Sequence, residues 1–343
     1  MSEQESQEQL LHLLSGKWVT AAIAAAAELG IADQLAALPL TAAELATRCK
    51  ADERALKRLL RVLCGEGLLE LDENARYHLT ELGRQLCDGE LRTLARFVGA
   101  PFMWNPWPAL AAQVQDPSRS AFERTHGSAL FEYLDADRHA ASLYHAAVDE
   151  FTRRQARALC DAFDFSPLER IVDIGGGLGT VLTELTQRYP ALRCVLYDRP
   201  PVIEQARRVL SAAPHVEPRI EVVAGDFFSG VPAPADAYLL KHVLHNWDDE
   251  HALRLLRACR AGLRADGYVL IVESLRLPGN VRDATALMDL EMLVLCGGGY
   301  ERSKPEFRRL LGQAGLRLHA TRVLVAGVRL MVATPRAHAA SEA

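Results

Sequence analysis

Over the first 90 positions the apolar residues recur with helical spacing in short groups. Leu10, Leu11, Leu13 and Leu14 open an apolar helix that continues through Trp18 and Ile23 to Leu29, where Gly30 breaks it. Thr41 and Glu44 stand at the spacing of a capping box, and Asp52 can cap the helix that follows. That helix carries Leu56, Leu59, Leu60 and Leu63 at helical spacing and ends at Gly65 and Gly67. The runs "LLELD" and "RYHLT" then predict two short strands around a turn at Glu73 and Asn74. Helix, turn, helix, strand, strand is a winged-helix order. The pattern therefore predicts a mainly α, winged-helix-like domain over residues 1–100. A helical region over 101–166 follows, and Pro167 marks its boundary with the next domain.

From Ile171 onward the period changes. Strand-like runs ("RIVDIG", "RCVLYD", "IEVVAGDFF", "DAYLLKHV", "GYVLIVES") alternate with helical segments, and Pro and Gly punctuate the joins. This is the grammar of a doubly wound α/β domain, here residues 167–336. The last two strand runs, in "LRLHATRVLVAGVRLMVATPR", are joined only by Ala326 and Gly327. That link is too short for a parallel crossover, so the domain should end in an antiparallel hairpin. The Ala-rich tail, 337–343, reads as disordered.

Charge bears on the winged helix. The whole chain has a net charge of −5, and residues 1–90 hold 15 acidic against 9 basic residues. Contact with phosphates needs the opposite sign, so dimer packing or pocket lining is a better use of this domain than DNA binding. No nucleic-acid partner is expected. Residues 1–9 are polar and lack a secretory pattern, and the longest apolar run, around residues 19–27, is far short of a membrane span. Seven cysteines at irregular spacing, with no CxxC pair, point to reduced thiols in a cytoplasmic protein with no metal site.

The strongest local signal is "VDIGGGLGT". A strand runs into Gly175, Gly176, Gly177 and Gly179 and then into a helix. Glycines permit a tight turn and close approach of a ligand, and a helix N-terminus favours an anionic group. Nicotinamide enzymes use such loops too. Asp198 ends the next strand, 19 residues beyond Gly179, where a carboxylate can accept both ribose hydroxyls. Asp226, in "AGDFF", ends the third strand and can accept an adenine amino group while Phe227 covers the ring. Thr180 stands where a dinucleotide fingerprint would want a further glycine. Together these features favour S-adenosylmethionine (SAM), which has no pyrophosphate.

Beyond the fourth strand of this domain come "LLKHVLHNWDDEHA", then Glu273 in "IVESL" and Glu301 in "GGGYERSKPEF". With "VDIGGGLG", "YDRPPVI" and "GDFF", these segments resemble the SAM-dependent O-methyltransferases of the plant caffeate type and their bacterial natural-product relatives, over almost the whole chain. The resemblance implies a Rossmann-like class I methyltransferase domain, with a mixed seven-stranded sheet, behind a winged-helix dimerisation domain. It implies a homodimer acting on a small aromatic hydroxyl compound, without metal. By match, His245 is the general base, Glu273 and Glu301 hold its imidazole, and Lys241 contacts SAM. Met292 packs against the acceptor ring, and Trp104, Phe102, Phe131, Tyr144 and Val148 are candidate walls. A neutral imidazole can accept a phenolic proton, so the assignment is chemically sound. His242, His251 and His319 read as surface residues. Asn246 replaces the Asp usual in the plant enzymes and turns the reading toward secondary metabolism. The alternatives are a SAM-dependent C- or N-methyltransferase, a SAM-binding relative with non-methylating chemistry and, last, a winged-helix regulator.

Overall fold

A computed structural model describes residues 2–212, 219–279, 283–325 and 327–336; the tail expected to be disordered, 337–343, lies outside the described residues. The chain divides into two compact units. One comprises Met1–Asn105 and His139–Phe151, the other Pro106–Arg138 and Thr152–Ala343.

In the first unit, the helix Glu3–Glu28 is followed by Ile31–Ala37, Ala42–Cys49 and Glu53–Gly65. Three short strands, β1 (Leu40–Thr41), β2 (Leu69–Leu71) and β3 (Arg76–Leu79), form an antiparallel sheet in the order β1-β3-β2. The expected caps form. The Thr41 hydroxyl accepts the Glu44 N–H at 3.3 Å while the Thr41 N–H donates to the Glu44 carboxylate at 2.7 Å, and Asp52 Oδ1 accepts the Ala55 N–H at 2.8 Å. Such caps stabilise a helix by about 1 kcal/mol each. Leu45, Leu60 and Leu63 close a core with Ile31 and Leu40.

The helix Glu3–Glu28 corrects one expectation. Its 26 residues include an 18-residue window of mean hydropathy 1.4, long and apolar enough to cross a membrane by length and composition alone. The unbroken run at 19–27 is only part of that window, because residues 10–27 carry a single charged side chain, Lys17. Only the C-terminal end of this helix is buried, at Ala26 and Ala27. Leu10, Leu11, Leu13, Leu14 and Trp18 are all more than half exposed.

The second unit is built on seven strands: β4 (Arg170–Ile174), β5 (Arg193–Asp198), β6 (Ile220–Ala224), β7 (Ala235–Lys241), β8 (Leu263–Ser274), β9 (Leu316–Val325) and β10 (Val328–Pro335). Their order is β6-β5-β4-β7-β8-β10-β9. The pairs among β4 to β8 are parallel, and β10 lies antiparallel between β8 and β9, which is the expected hairpin. Alternate residues enter two cores, one on each face. Ala237, Leu239, Leu270 and Val272 join Ile171 and Leu182, whereas Tyr238, Leu240, Val269 and Ile271 join Leu255 and Phe307. Burial on both faces explains the nearly continuous apolar runs of β7 and β8. The strand order reverses between β4 and β7, and in doubly wound sheets ligands bind at the carboxyl edge of such a reversal. The glycine loop, Lys241 and Glu273 all stand at the carboxyl ends of these strands.

Candidate active site

The first half of the site follows β4. Gly175, Gly177 and Gly179 have φ of +68°, +60° and +82°, values that side-chain-bearing residues adopt only with strain. Close approach also excludes a side chain at two positions. A Cβ on Gly176 would fall 2.5 Å from Leu196 and 2.7 Å from Asp173 Oδ2, and one on Gly175 would fall 2.9 Å from Val243. At Gly177 a Cβ would meet open space, so its Cα face is bare toward the crevice. The Gly177 N–H donates to Asp198 Oδ2 at 2.9 Å, and the Arg199 N–H donates to Asp198 Oδ1 at 2.7 Å. Burial raises the Asp198 carboxyl above its ordinary value, although these two amides oppose the shift.

Asp173, in the middle of "VDIGG", was not singled out from the sequence. Its side chain is buried, and neither carboxylate oxygen has a hydrogen-bond partner. Burial pushes its pKa up to about 7, with Lys241 pulling the other way and Asp198 adding to the rise. A buried, unpartnered carboxyl beneath a glycine loop suits a cationic ligand group, and the ammonium of a methionine-like tail is one. Asp226 lies in the turn beyond β6 and is exposed. Its Oδ1 accepts the Phe228 N–H at 2.9 Å and its Oδ2 accepts the Ser229 hydroxyl at 3.2 Å. Phe227 packs edge-on against Phe228 and Trp247.

The second half follows β7 and β8. Glu273 is fully buried, and its Oε1 accepts the N–H groups of Val243, Leu244 and His245 at 3.1, 2.9 and 3.3 Å. It thereby fixes the turn on which His245 sits. His245 is buried too, with Nδ1 2.8 Å from Glu301 Oε1 and 3.4 Å from Glu273 Oε2. Among the described residues its Nε2 has no hydrogen-bond partner. Burial alone would depress the imidazole, but the carboxylates of Glu273 and Glu301 outweigh it and hold His245 up at about 9. Burial also opposes ionisation of Glu273, yet His245, His242 and the backbone amide keep it below the ordinary carboxylate range. Burial raises Glu301, with help from Glu273 and Asp289.

Two further residues of this half were not assigned to the site from the sequence. Arg302 is fully buried. It donates to the carbonyls of Leu244 and Trp247, both at 2.8 Å, and to Asp249 Oδ1 at 2.9 Å, and so clamps the His245 turn from below. His242 is the correction to the surface reading: only 17% of its side chain is exposed, and Nδ1 lies 3.6 Å from Glu273 Oε2. A loop histidine is ordinarily solvated, but the His242 N–H bonds to the Val272 carbonyl of β8 and so pulls the residue into the site. The His251 N–H donates to the N-cap Asp248, whose Oδ1 also lies 2.8 Å from His251 Nδ1, and His319 is exposed. One ligand atom from each of His242, His245 and Glu273 lies within 4.8 Å of the others. In this cluster Glu273 Oε1 is engaged by three amides and His245 Nδ1 faces Glu301.

Met292 is buried on the helix Ala284–Leu295, whose next residue, Cys296, reaches Asn246 Oδ1 at 3.6 Å. Phe131 stacks on Trp247 at 6.4 Å between ring centroids, and the Arg199 guanidinium lies over the Phe131 ring at 5.2 Å. Trp104, Phe102, Tyr144 and Val148 belong to the first unit. There Tyr144 and Phe102 pack edge-on against Phe97, Trp104 is half-buried and Val148 is exposed. All seven cysteines are free.

The assembled edge thus pairs a glycine cradle above a vacant acid with an imidazole braced by two carboxylates. Residues 107–317 match the O-methyltransferase domain family, and residues 11–89 match the O-methyltransferase dimerisation domain. The chain belongs to the O-methyltransferase family. Among relatives of this O-methyltransferase, the 3-amino-4-hydroxybenzoate 4-O-methyltransferase of Streptomyces cremeus is 37% identical, over 96% of this chain and 90% of that protein. The mitomycin biosynthesis 6-O-methyltransferase of Streptomyces lavendulae is 34% identical, over 97% and 95% of the two chains. The crystal structure of human N-acetylserotonin methyltransferase in complex with SAM superposes with a TM-score of 0.89 at 27% identity, covering 98% of this chain and 99% of that one.

Proposed function

We propose that this O-methyltransferase moves the methyl group of SAM to a hydroxyl of a small aromatic acceptor of the natural-product kind, with His245 as general base. The observation that carries the reading is the asymmetry of His245: Nδ1 faces Glu301, and Nε2 is without a partner among the described residues. An N–H on Nδ1 leaves Nε2 as the lone-pair nitrogen, able to take the hydroxyl proton. Glu301 and Glu273 then stabilise the imidazolium. When bound, SAM supplies a methyl group already activated on sulfur.

The other residues hold and position. The loop Gly175–Gly177 would cradle the methionine tail, the vacant acid of Asp173 with Lys241 close by would face its charged groups, and Asp198 would take the ribose. Asp226 and Phe227 would serve the adenine. Met292 would pack a soft thioether on the acceptor ring, with Trp104, Tyr144 and Val148 as further walls. The acceptor named for one relative, 3-amino-4-hydroxybenzoate, and the other's place in mitomycin biosynthesis favour an aromatic hydroxyl of the natural-product kind here. The exposed leucines and Trp18 of the first helix, inside the segment matching the dimerisation domain, favour a homodimer. The free thiols suit a reducing, cytoplasmic setting. The proposed domain limits are 1–100 for the dimerisation domain, 101–166 for a substrate-lining region and 167–336 for the SAM domain.

The test is incubation with methyl-labelled SAM and a pooled panel of phenols, catechols and hydroxyquinones, traced by mass spectrometry. Label on an acceptor oxygen is the expected result. An acceptor altered without gaining label would overturn the reading in favour of non-methylating chemistry. A monomeric mass in solution at micromolar concentration would sink the dimer.

A further inference from the structure

Three observations converge behind the proposed base. His242 holds φ at +53°, a left-handed conformation that costs a non-glycine residue strain and persists at functional sites when surrounding bonds over-determine it. The bonds are present: its N–H donates to the Val272 carbonyl at 2.9 Å, and its carbonyl accepts Asn246 Nδ2 at 3.1 Å. The strain aims the ring at Glu273, whose Oε2 is buried and unsatisfied. On the far side of the ring, His242 Nε2 lies 3.1 Å from the Gln155 side-chain oxygen, while the Gln155 amide nitrogen is itself buried without a partner.

A half-turn of the Gln155 amide gives its nitrogen a partner and turns a donor toward Glu273, with the amide oxygen taking the unpartnered place. The amide nitrogen then donates to His242 Nε2, which fixes the proton on His242 Nδ1, and Nδ1–H points at Glu273 Oε2, 3.6 Å away, as a charge–dipole contact. We propose that Gln155 and His242 form a positioning relay for this methyltransferase. By occupying the free oxygen of Glu273, the relay leaves the Nδ1–H of His245 directed to Glu301 alone and its Nε2 aimed at the acceptor. The proposal rests on the reading of His245 as base. Without the relay, Glu273 Oε2 at 3.4 Å would compete with Glu301 for the His245 proton and turn the ring. Burial, only partly offset by Glu273, depresses His242 to about 4, so it remains a neutral donor across the working range. The charged groups acting on His245 are Glu273, Glu301, Lys241 and Glu291, with His242 beside it at 5.3 Å between ring centroids.

Histidine-selective 15N NMR of the intact enzyme reads the relay without reference to turnover. His242, assigned by loss of its signals in His242→Asn, should carry its proton on Nδ1; a proton on Nε2 would overturn the proposal. Kinetics supply the second arm. His242→Gly relieves the backbone strain but removes the donor, and Gln155→Leu removes the group that sets the tautomer. Both should lower kcat about tenfold or more, the scale of one hydrogen bond to a charged group, and move the acid limb of the kcat/KM profile upward with SAM affinity unchanged. His242→Asn tolerates positive φ and keeps an N–H donor on the side chain, so it should restore most of the loss. An unchanged acid limb in His242→Gly would also overturn the relay. Full activity in His245→Ala would instead strike down the base reading, leaving the tautomer of His242 as a separate result.

Discussion

The two halves of the carboxyl edge are built in opposite ways. On the β4 side, polar atoms are left wanting: both oxygens of Asp173 are buried and unpartnered, and bare glycine surface faces the crevice. On the β7–β8 side the backbone is tied down, with three amides on Glu273 Oε1, Glu301 Oε1 against His245, and three bonds from Arg302 to the turn and Asp249, while Glu273 Oε2 and Glu301 Oε2 are buried without a hydrogen-bond partner. The first half is one that a ligand completes; the second is organised beforehand. The division suits methyl transfer, in which the donor is exchanged at every turnover while the base must stay within hydrogen-bond reach of each new acceptor.

The largest effect expected from breaking this contrast is on the organised half. Replacing Arg302 by Met leaves the Leu244 and Trp247 carbonyls without their donor, while Asp249 keeps Arg309 and Tyr300. It should cost about 2–4 kcal/mol in denaturant unfolding, the scale for leaving two such carbonyls unpaired. The matching change on the ligand-completed half, Gly176→Ala, presses a methyl onto Asp173 and Leu196. It should weaken SAM binding by at least about tenfold, or about 1.4 kcal/mol, read by calorimetry, with a smaller loss of unfolding stability than Arg302→Met.

Two pH dependences sharpen the same contrast. His245 is raised to about 9, so its basic form accumulates only as pH climbs toward that value; kcat/KM should still be rising well above 6.5 and level off near 9. By linkage, the stabilisation from the His245–carboxylate cluster is complete below the unfolded imidazole value of about 6.5 and is lost as pH rises through about 9. Asp173, raised to about 7, is partly protonated below neutrality, and a bound ammonium would favour its charged form. SAM affinity should therefore rise with pH through about 7 with proton release on binding, and Asp173→Asn should flatten that dependence. The smallest effect is expected at the periphery. Asp248→Ala removes the N-cap of the helix Asp249–Gly262 and should cost about 1 kcal/mol of stability with little change in rate.

Much of this arrangement was legible in the sequence, and the exceptions have physical causes. Strand-like runs alternating with helical segments, the capping residues Thr41 and Asp52, and the short link before Gly327 foretold the sheet, the caps and the hairpin, because each rests on local geometry. The glycine loop and the run "KHVLHNWDDE" stood out because several constrained positions coincide. Asp173 did not, since a single acid in an apolar strand gives no sign of whether anything pairs with it. Nor did His242, whose burial depends on β8 lying beside β7 and offering the Val272 carbonyl. Arg302 was hidden because its partners, Leu244, Trp247 and Asp249, lie more than 50 residues upstream. The first helix was legible from Leu10 to Leu29, but its low-charge apolar window was missed by counting only the unbroken run at 19–27.

The central claim, that a preorganised base works beside an independent SAM cradle, is tested most directly by measuring SAM affinity and single-turnover methyl transfer side by side in the wild type and His245→Ala. The account predicts SAM affinity within about twofold of wild type and transfer to an aromatic hydroxyl slowed by about 10²–10⁴, the contribution typical of a general base. Transfer at the wild-type rate with SAM affinity intact would contradict it.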